Sequence, residues 1–396
     1  MSRRGRRAVA GIGLLGGMVL GGTAMARPDL YFDGSLSLAG VQDDNLFYTA
    51  ESPQRDVISR LTPGIEAGSR SERLTLSGRW SLDAERFADH SELDTNRARE
   101  SAAFDLHSRL SRPLSLSLHG DYLSTLTPGE LNPATGLAAG RSRARRLSVR
   151  PSLDWKLGPT TVGTFGYTRM KDDLVGGVAA DTRSTTLGLD HHPTPRDTLS
   201  THYDFSRYRF EEGVPIAVHT LTFGWERRVG PHGSFELRAG PRYSLDRFDP
   251  EASLALQRGG RRVDTSLTVA RSLTTVIGQA GTFVTDSVLT AVSYRPVSSL
   301  RLSATPGVYW IRDSTDGPET RVYLVGLEGN WRISDWLSLV SSYHMNRQRG
   351  GLVAAAAGTG VETREIARNT FFLGLVAGRT EPRAPAAAGR SEGGMP

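Results

Sequence analysis

Leu147-Ser148-Val149-Arg150-Pro151-Ser152-Leu153-Asp154-Trp155-Lys156-Leu157 decides the fold of this chain. Its odd positions are apolar, or the turn-tolerant Pro151, and its even positions are Ser, Arg, Ser, Asp and Lys. A period of two places one residue class on each face of a β-strand. A soluble sandwich shows the same alternation in shorter strands. Here the pattern recurs from about residue 30 to residue 377, in segments of ten residues or more. Long strands with one oily and one charged face predict an all-β fold, a single antiparallel transmembrane barrel of the bacterial outer-membrane type.

The front of the chain fits that destination. Arg3, Arg4, Arg6 and Arg7 precede an apolar, glycine-rich run from Ala8 to Gly22, and Ala24-Met25-Ala26 forms a small-x-small site. This reads as a cleaved secretory signal over 1–26. The run is too short for a membrane anchor, which needs about 20 apolar residues. Arg6 stands where a twin-arginine signal prefers a hydrophobic residue, which favours the general secretory route. Mean hydropathy is negative, and a membrane protein of that kind has to be a barrel, because only helices and closed barrels satisfy their backbone in lipid. The barrel is expected over 27–377 and a disordered tail rich in Ala, Gly, Pro and Arg over 378–396.

The chain contains no cysteine, so disulfides, thiolate metal sites and a cysteine nucleophile are excluded. Of the formal net charge of +6, four charges sit in the signal, and the barrel is close to neutral. A basic isoelectric point therefore gives no support for nucleic-acid binding, which needs a clustered basic face.

Short breaks near 69–71, 111–112, 158–159, 193–196, 230–233, 271–272, 296–298 and 334 alternate with longer ones. The longer ones fall at 43–54, 88–94, 126–140, 173–181, 211–215, 249–260, 278–284, 313–319 and 350–362. Short periplasmic turns alternating with longer outward loops predict eighteen strands, or sixteen if 263–296 is not divided at Arg271-Ser272. Either count leaves a lumen wide enough for water. Pro63, Pro151, Pro241 and Pro306 fall inside strands, where bulges or strand ends are expected. Tyr31, Phe32, Trp80, Phe87, Trp155, Trp225, Phe248, Trp310, Trp331 and Trp336 lie toward strand ends, as interfacial girdles would place them. Asn369 to Val376 resembles the terminal strand by which barrels are recognised for assembly, which implies the barrel-assembly machinery as a partner.

If the apolar set faces lipid, the polar set faces the lumen. It includes Arg60, Arg79, Arg146, Arg150, Arg238, Arg242, Arg301 and Arg332, with Arg73, Arg228 and Arg368. The acids are Asp154, Asp204, Glu236 and Glu328, with others including Glu85, Asp105, Asp121 and Asp246. Such a mixed interior allows two readings. Arginines and carboxylates pair across strands and brace the wall, or guanidinium forks form a polar track for a hydrated polymer. A carrier of greasy compounds would need an apolar passage. No loop has the length of an infolded constriction loop, the longest being about 15 residues, and no plug domain precedes the first strand.

Enzymatic constellations are thin. The nine histidines are scattered, and Gly-x-Ser-x-Gly, His-Glu-x-x-His and a phosphate-binding glycine loop are all missing. His202 and Asp204 share one strand face mid-wall and make no convincing dyad. No enzyme activity, cofactor or metal is expected. Asp43-Asp44-Asn45 reads as an outward loop with side-chain-to-backbone turns; a calcium site is the alternative, since clustered hard oxygens suit that ion.

Asp43-Asp44-Asn45-Leu46-Phe47, then Asp56-Val57-Ile58, Thr62-Pro63-Gly64-Ile65 and Tyr294-Arg295-Pro296, resemble the outer-membrane β-barrel porins of bacterial exopolysaccharide loci. The resemblance implies a barrel that takes part in exopolysaccharide or capsule export, with polysaccharide and periplasmic export components as partners. Two rival readings stay open: a diffusion porin for small hydrophilic solutes, and a structural or assembly barrel whose lumen is closed by Arg–carboxylate pairs.

Overall fold

The computed structural model describes residues 28–378, apart from 139, 212, 316, 318, 351–363 and the side chain of Arg364. The expected signal and tail therefore lie outside the described residues, except that Gly378 belongs to the last strand. Most of the expected loop at 350–362 lies outside them too.

Eighteen strands form one sheet. They are β1 (Asp29–Asp43), β2 (Asp56–Arg70), β3 (Leu74–Phe87), β4 (Thr95–Arg109), β5 (Leu114–Thr125) and β6 (Ala144–Lys156). Next come β7 (Thr161–Leu174), β8 (Ala180–Thr194), β9 (Asp197–Phe210), β10 (Ile216–Val229), β11 (Gly233–Ser244) and β12 (Arg247–Arg258). The last six are β13 (Val263–Thr274), β14 (Phe283–Val297), β15 (Leu300–Asp313), β16 (Thr320–Arg332), β17 (Leu337–Gly350) and β18 (Arg364–Gly378). Each pairs antiparallel with its neighbours in sequence, and β1 pairs with β18 from Ser35↔Gly378 to Asp43↔Thr370. The sheet is thus a closed barrel, the form that leaves no edge to satisfy in lipid.

The period of two sorts side chains as the sequence suggests. Phe32, Leu38, Trp155 and Phe223 are 71%, 62%, 56% and 57% exposed. Large apolar residues this exposed, in rows around the whole wall, mark a lipid-facing surface. The alternate positions of the same strands face inward.

Two stretches differ from expectation. The segment expected as a loop over 249–260 is mostly β12, and Arg271-Ser272 lies inside β13. The connection between β11 and β12 is only Leu245 and Asp246, both left-handed with φ of 50° and 59°. That is the conformation a two-residue hairpin turn requires. Asp249-Pro250-Glu251 has loop-like composition, but Pro250 pairs with Pro241 inside the hairpin. The strand total is unchanged because the turn at 259–262 replaces the one expected at 271–272.

The four prolines expected inside strands make no bulges. At Pro63, Pro151, Pro241 and Pro306 the ladder to one neighbour is interrupted and resumes in the same register. Each keeps pairing with its other neighbour. A proline lacks only one donor, so a wide ladder absorbs the loss on one side. Register shifts occur at Asp83/Glu85, His191/Thr194 and Tyr294/Val297, the last two spanning Pro193 and Pro296. Among the aromatics, Tyr31 and Phe87 are not interfacial. Tyr31 donates to Glu66 on the inner face, and Phe87 is buried against Val41, Leu46 and Ile58.

Candidate functional site

The lumen wall follows from register. Arg60, Arg79, Arg146, Arg150, Arg238, Arg242, Arg301, Arg332, Asp154, Asp204, Glu236 and Glu328 all occupy positions opposite in parity to the exposed apolar rows. Arg73 and Asp246 do not belong to the wall; they lie in turns. Arg146 on β6 makes a forked pair with Asp172 on β7, at 2.6 and 2.7 Å. Arg60 donates to Glu85 at 2.7 Å across β2 and β3. Arg150 reaches Asp121 at 2.5 Å across β6 and β5, and His119 contacts Asp105 and Asp121. Arg238 pairs with Glu236, its neighbour two positions along β11. Asp154 accepts from Thr164 Oγ1 and Asp204 from Thr186 Oγ1. Arg242 is fully buried beside Glu251 (3.4 Å) and Asp249 (3.6 Å) of β12. Each of these contacts links positions on one strand or on adjacent strands. They brace the wall, and none of them spans the lumen.

What enters the lumen is a loop. Residues 126–143, between β5 and β6, turn inward through a 3₁₀ turn at Pro128–Leu131. Leu131, Asn132, Thr135 and Leu137 are buried, although the chain is there between strands. Tyr309 of β15 donates to the Pro133 carbonyl at 3.1 Å, and Asn346 of β17 donates to the Gly136 carbonyl at 3.0 Å. In a ring of eighteen strands β15 stands nine places from β6, so the loop reaches the opposite wall. There Leu137 packs with Val276, Phe283, Tyr309, Ile311 and Val322. Arg141, on the returning arm, donates to Glu85 at 2.8 Å and lies over the Phe87 ring.

A second loop meets the first. Residues 275–282, between β13 and β14, bury Val276 and Ile277, and the Ile277 N–H donates to Asn132 Oδ1 at 3.0 Å. Asn132 also donates to the Leu137 carbonyl, so one amide fixes both loops. Gly278 forms a bridge with Val178 from the β7–β8 loop. The expectation that no loop folds inward is thereby overturned. Length was the wrong criterion, because a chord across a barrel needs anchors at both ends more than it needs residues. The signal was the composition of 126–143, where Leu126, Pro128, Leu131, Pro133 and Leu137 are too apolar for a solvated loop.

The β1–β2 loop tucks in beside these. Asn45 N–H donates to Asp43 Oδ1 at 3.1 Å, the side-chain-to-backbone turn expected there. The Asn45 amide also bonds Thr49 and, across the seam, the Ala367 carbonyl. Arg368 pairs with Asp43 and lies over the Tyr48 ring. Burial pushes the Tyr48 phenol upward, so it stays neutral over the working pH range. Asp44 accepts from the Asn369 backbone and side chain. These carboxylates are committed to arginine and amide partners, and no cluster of metal-binding side chains occurs among the described residues.

The infolded loop divides the lumen. On its inner side is a cavity of ≈ 770 Å³ lined by Arg60, Tyr309, Ser342, His344, Asn346 and Thr370, among others. On its outer side is a vestibule of ≈ 810 Å³ between the β1–β2, β7–β8 and β13–β14 loops. Both chambers mix polar and apolar side chains, and a loop fixed between them can select solutes by size.

No protein-family model matches the chain, and no curated protein does. The resemblance carried by Asp43–Phe47 and Thr62–Ile65 thus has no family model behind it. Solved structures that match include OpdO of Pseudomonas aeruginosa, at 11% identity over 88% of this chain and 97% of that one, TM-score 0.48. OccK11 (OpdR) of the same organism shares 16% identity over 88% and 96%, TM-score 0.45. The siderophore receptor PirA, also from P. aeruginosa, shares 9% over 89% and 81%, TM-score 0.45. At such identities and scores these likenesses bear on neither substrate nor mechanism. The barrel rests on its own closed ladder.

Proposed function

We propose that this protein is an outer-membrane channel for hydrophilic solutes, with its narrowest section set by the β5–β6 loop. The observation that carries this reading is the loop's anchorage on the opposite wall through Tyr309 and Asn346. A structural barrel has no need of a polar lumen with a built constriction, and its arginine pairs would have to span the lumen to close it. Size selection by a fixed eyelet suits small solutes.

A second reading is export of an exopolysaccharide chain with periplasmic partners, favoured by the arginines and acids that alternate around the inner wall. A polymer sliding past Arg146 and Arg150 could exchange guanidinium hydrogen bonds from sugar to sugar. It would require the infolded loop to move aside. Single-channel recording of the refolded barrel in a planar bilayer tests both. A small, steady current unaffected by long oligosaccharides supports the solute channel. Interruptions by single oligosaccharide chains support the polymer route, and silence from a correctly folded barrel overturns both.

A further inference from the structure

The outer surface of the barrel is charged mainly at one end. Toward the short turns, the outward strand positions carry only Asp197, Arg227 and Arg258 as carboxylates or guanidinium groups, with His191, among the described residues. Toward the loops, β6 to β9 present Arg145, Arg169, Lys171, Arg183, Arg207 and Arg209 outward, against Asp173 and Asp181. Register sets Arg169 opposite Arg183, and Arg183 opposite Arg207. Three guanidinium groups therefore stand in one row across three strands. Like charges placed directly opposite repel and destabilise a sheet.

The chain supplies little to offset this. Asp181 alone bridges Arg169 (3.0 Å) and Arg183 (3.1 Å). Arg145, Lys171, Arg207 and Arg209 have no ion pair among the described residues, and Arg169 Nε is buried with no acceptor. The next outward row toward mid-barrel is Tyr167, Thr185 and Phe205, and the one after it is Phe165, Leu187 and Tyr203, all three exposed. The basic row therefore sits where acyl chains give way to headgroups. Adjacent strands lie about 4.8 Å apart, so the row is about 10 Å wide. That width suits more than one phosphate.

We propose that the β6–β9 patch binds the phosphates of an anionic glycolipid in the leaflet surrounding the loop end. The inference rests on the barrel spanning a membrane and is independent of what passes through the lumen. Guanidinium forks match phosphate oxygens in pairs, and the patch opens sideways onto lipid-facing side chains, so its occupant must carry an acyl anchor. A bound headgroup would also supply the counter-charge that Arg207 lacks and share the one that Arg169 and Arg183 draw from Asp181. Protein partners and free phosphate ions do not share that geometry.

The test is native mass spectrometry of the full-length refolded barrel in neutral detergent, with folding verified by its heat-dependent gel shift. The probes are bisphosphorylated lipid A, the same lipid without phosphates, and inorganic phosphate. The bisphosphorylated lipid should be retained, the phosphate-free lipid should not, and millimolar inorganic phosphate should fail to displace the first. Together, Arg169→Gln, Arg183→Gln and Arg207→Gln should weaken retention about a hundredfold. If the triple variant does not fold, Arg207→Gln alone should weaken it about fivefold. The lumenal control Arg238→Gln should leave retention unchanged. Equal retention by the folded variants, equal retention of the phosphate-free lipid, or full displacement by inorganic phosphate overturns the proposal.

Discussion

At the turn end, eight connections of two to four residues carry the chain from strand to strand. At the loop end, residues 126–143 and 275–282 leave the wall and pack inside it. The three buried apolar clusters among the described residues, around Tyr309, Leu46 and Leu131, all lie at the loop end. The strand wall below them is held by its ladder, its cross-strand ion pairs and the lipid outside. A membrane barrel thus has no use for a continuous core. Apolar packing inside it forms where a loop must be held against water, and that is the place to look for a pore's narrow section.

This contrast can be broken in several ways. Deleting 128–140 and joining the flanking residues should raise single-channel conductance severalfold while the barrel still folds; an unchanged conductance would place the constriction elsewhere. Phe223→Lys puts a charge near the middle of the lipid-facing surface and should cost about 2–4 kcal/mol in urea titrations of the barrel in vesicles. A neutral outcome there would mean the inward and outward faces have been exchanged. Asn132→Ala removes the acceptor of the Ile277 N–H. It should cost about 1–3 kcal/mol locally, seen as faster hydrogen exchange at Ile277 and a noisier open channel, with the global unfolding midpoint unmoved. The smallest effect is expected from Arg150→Ser, which loosens a wall brace. Its permeability ratio should shift toward cations with little change in conductance. A large rise in conductance would mean that arginine pairs, not the loop, obstruct the lumen.

Much of the wall was legible because a period of two is a local property. Leu147 to Leu157 reveals its faces without reference to any other strand. The polar residues at Arg60, Arg146 and Glu236 follow from the same count. The hairpin at Leu245-Asp246 was not legible, since Leu245 is no typical turn former, no glycine accompanies Asp246, and Pro250 looks like a breaker. The anchors Tyr309 and Asn346 were hidden for a different reason. Each sits correctly in its own strand, and only the closure of the ring brings it to a loop 176 or 210 residues away. Phe87 and Tyr31 show the same limit, since position along a strand does not tell an interface aromatic from one turned inward, whether beneath a loop or against Glu66.

The chord from β6 to β15 also bears on the shape of the hoop. An empty cylinder one sheet thick can be squashed to an oval by uneven lateral pressure, and its aperture then follows the bilayer. A strut fastened on both walls resists that distortion along its own direction. Crowding by neighbouring proteins or a change in lipid thickness would then alter the tilt of this barrel before it altered the opening, leaving the passage indifferent to the membrane that holds it.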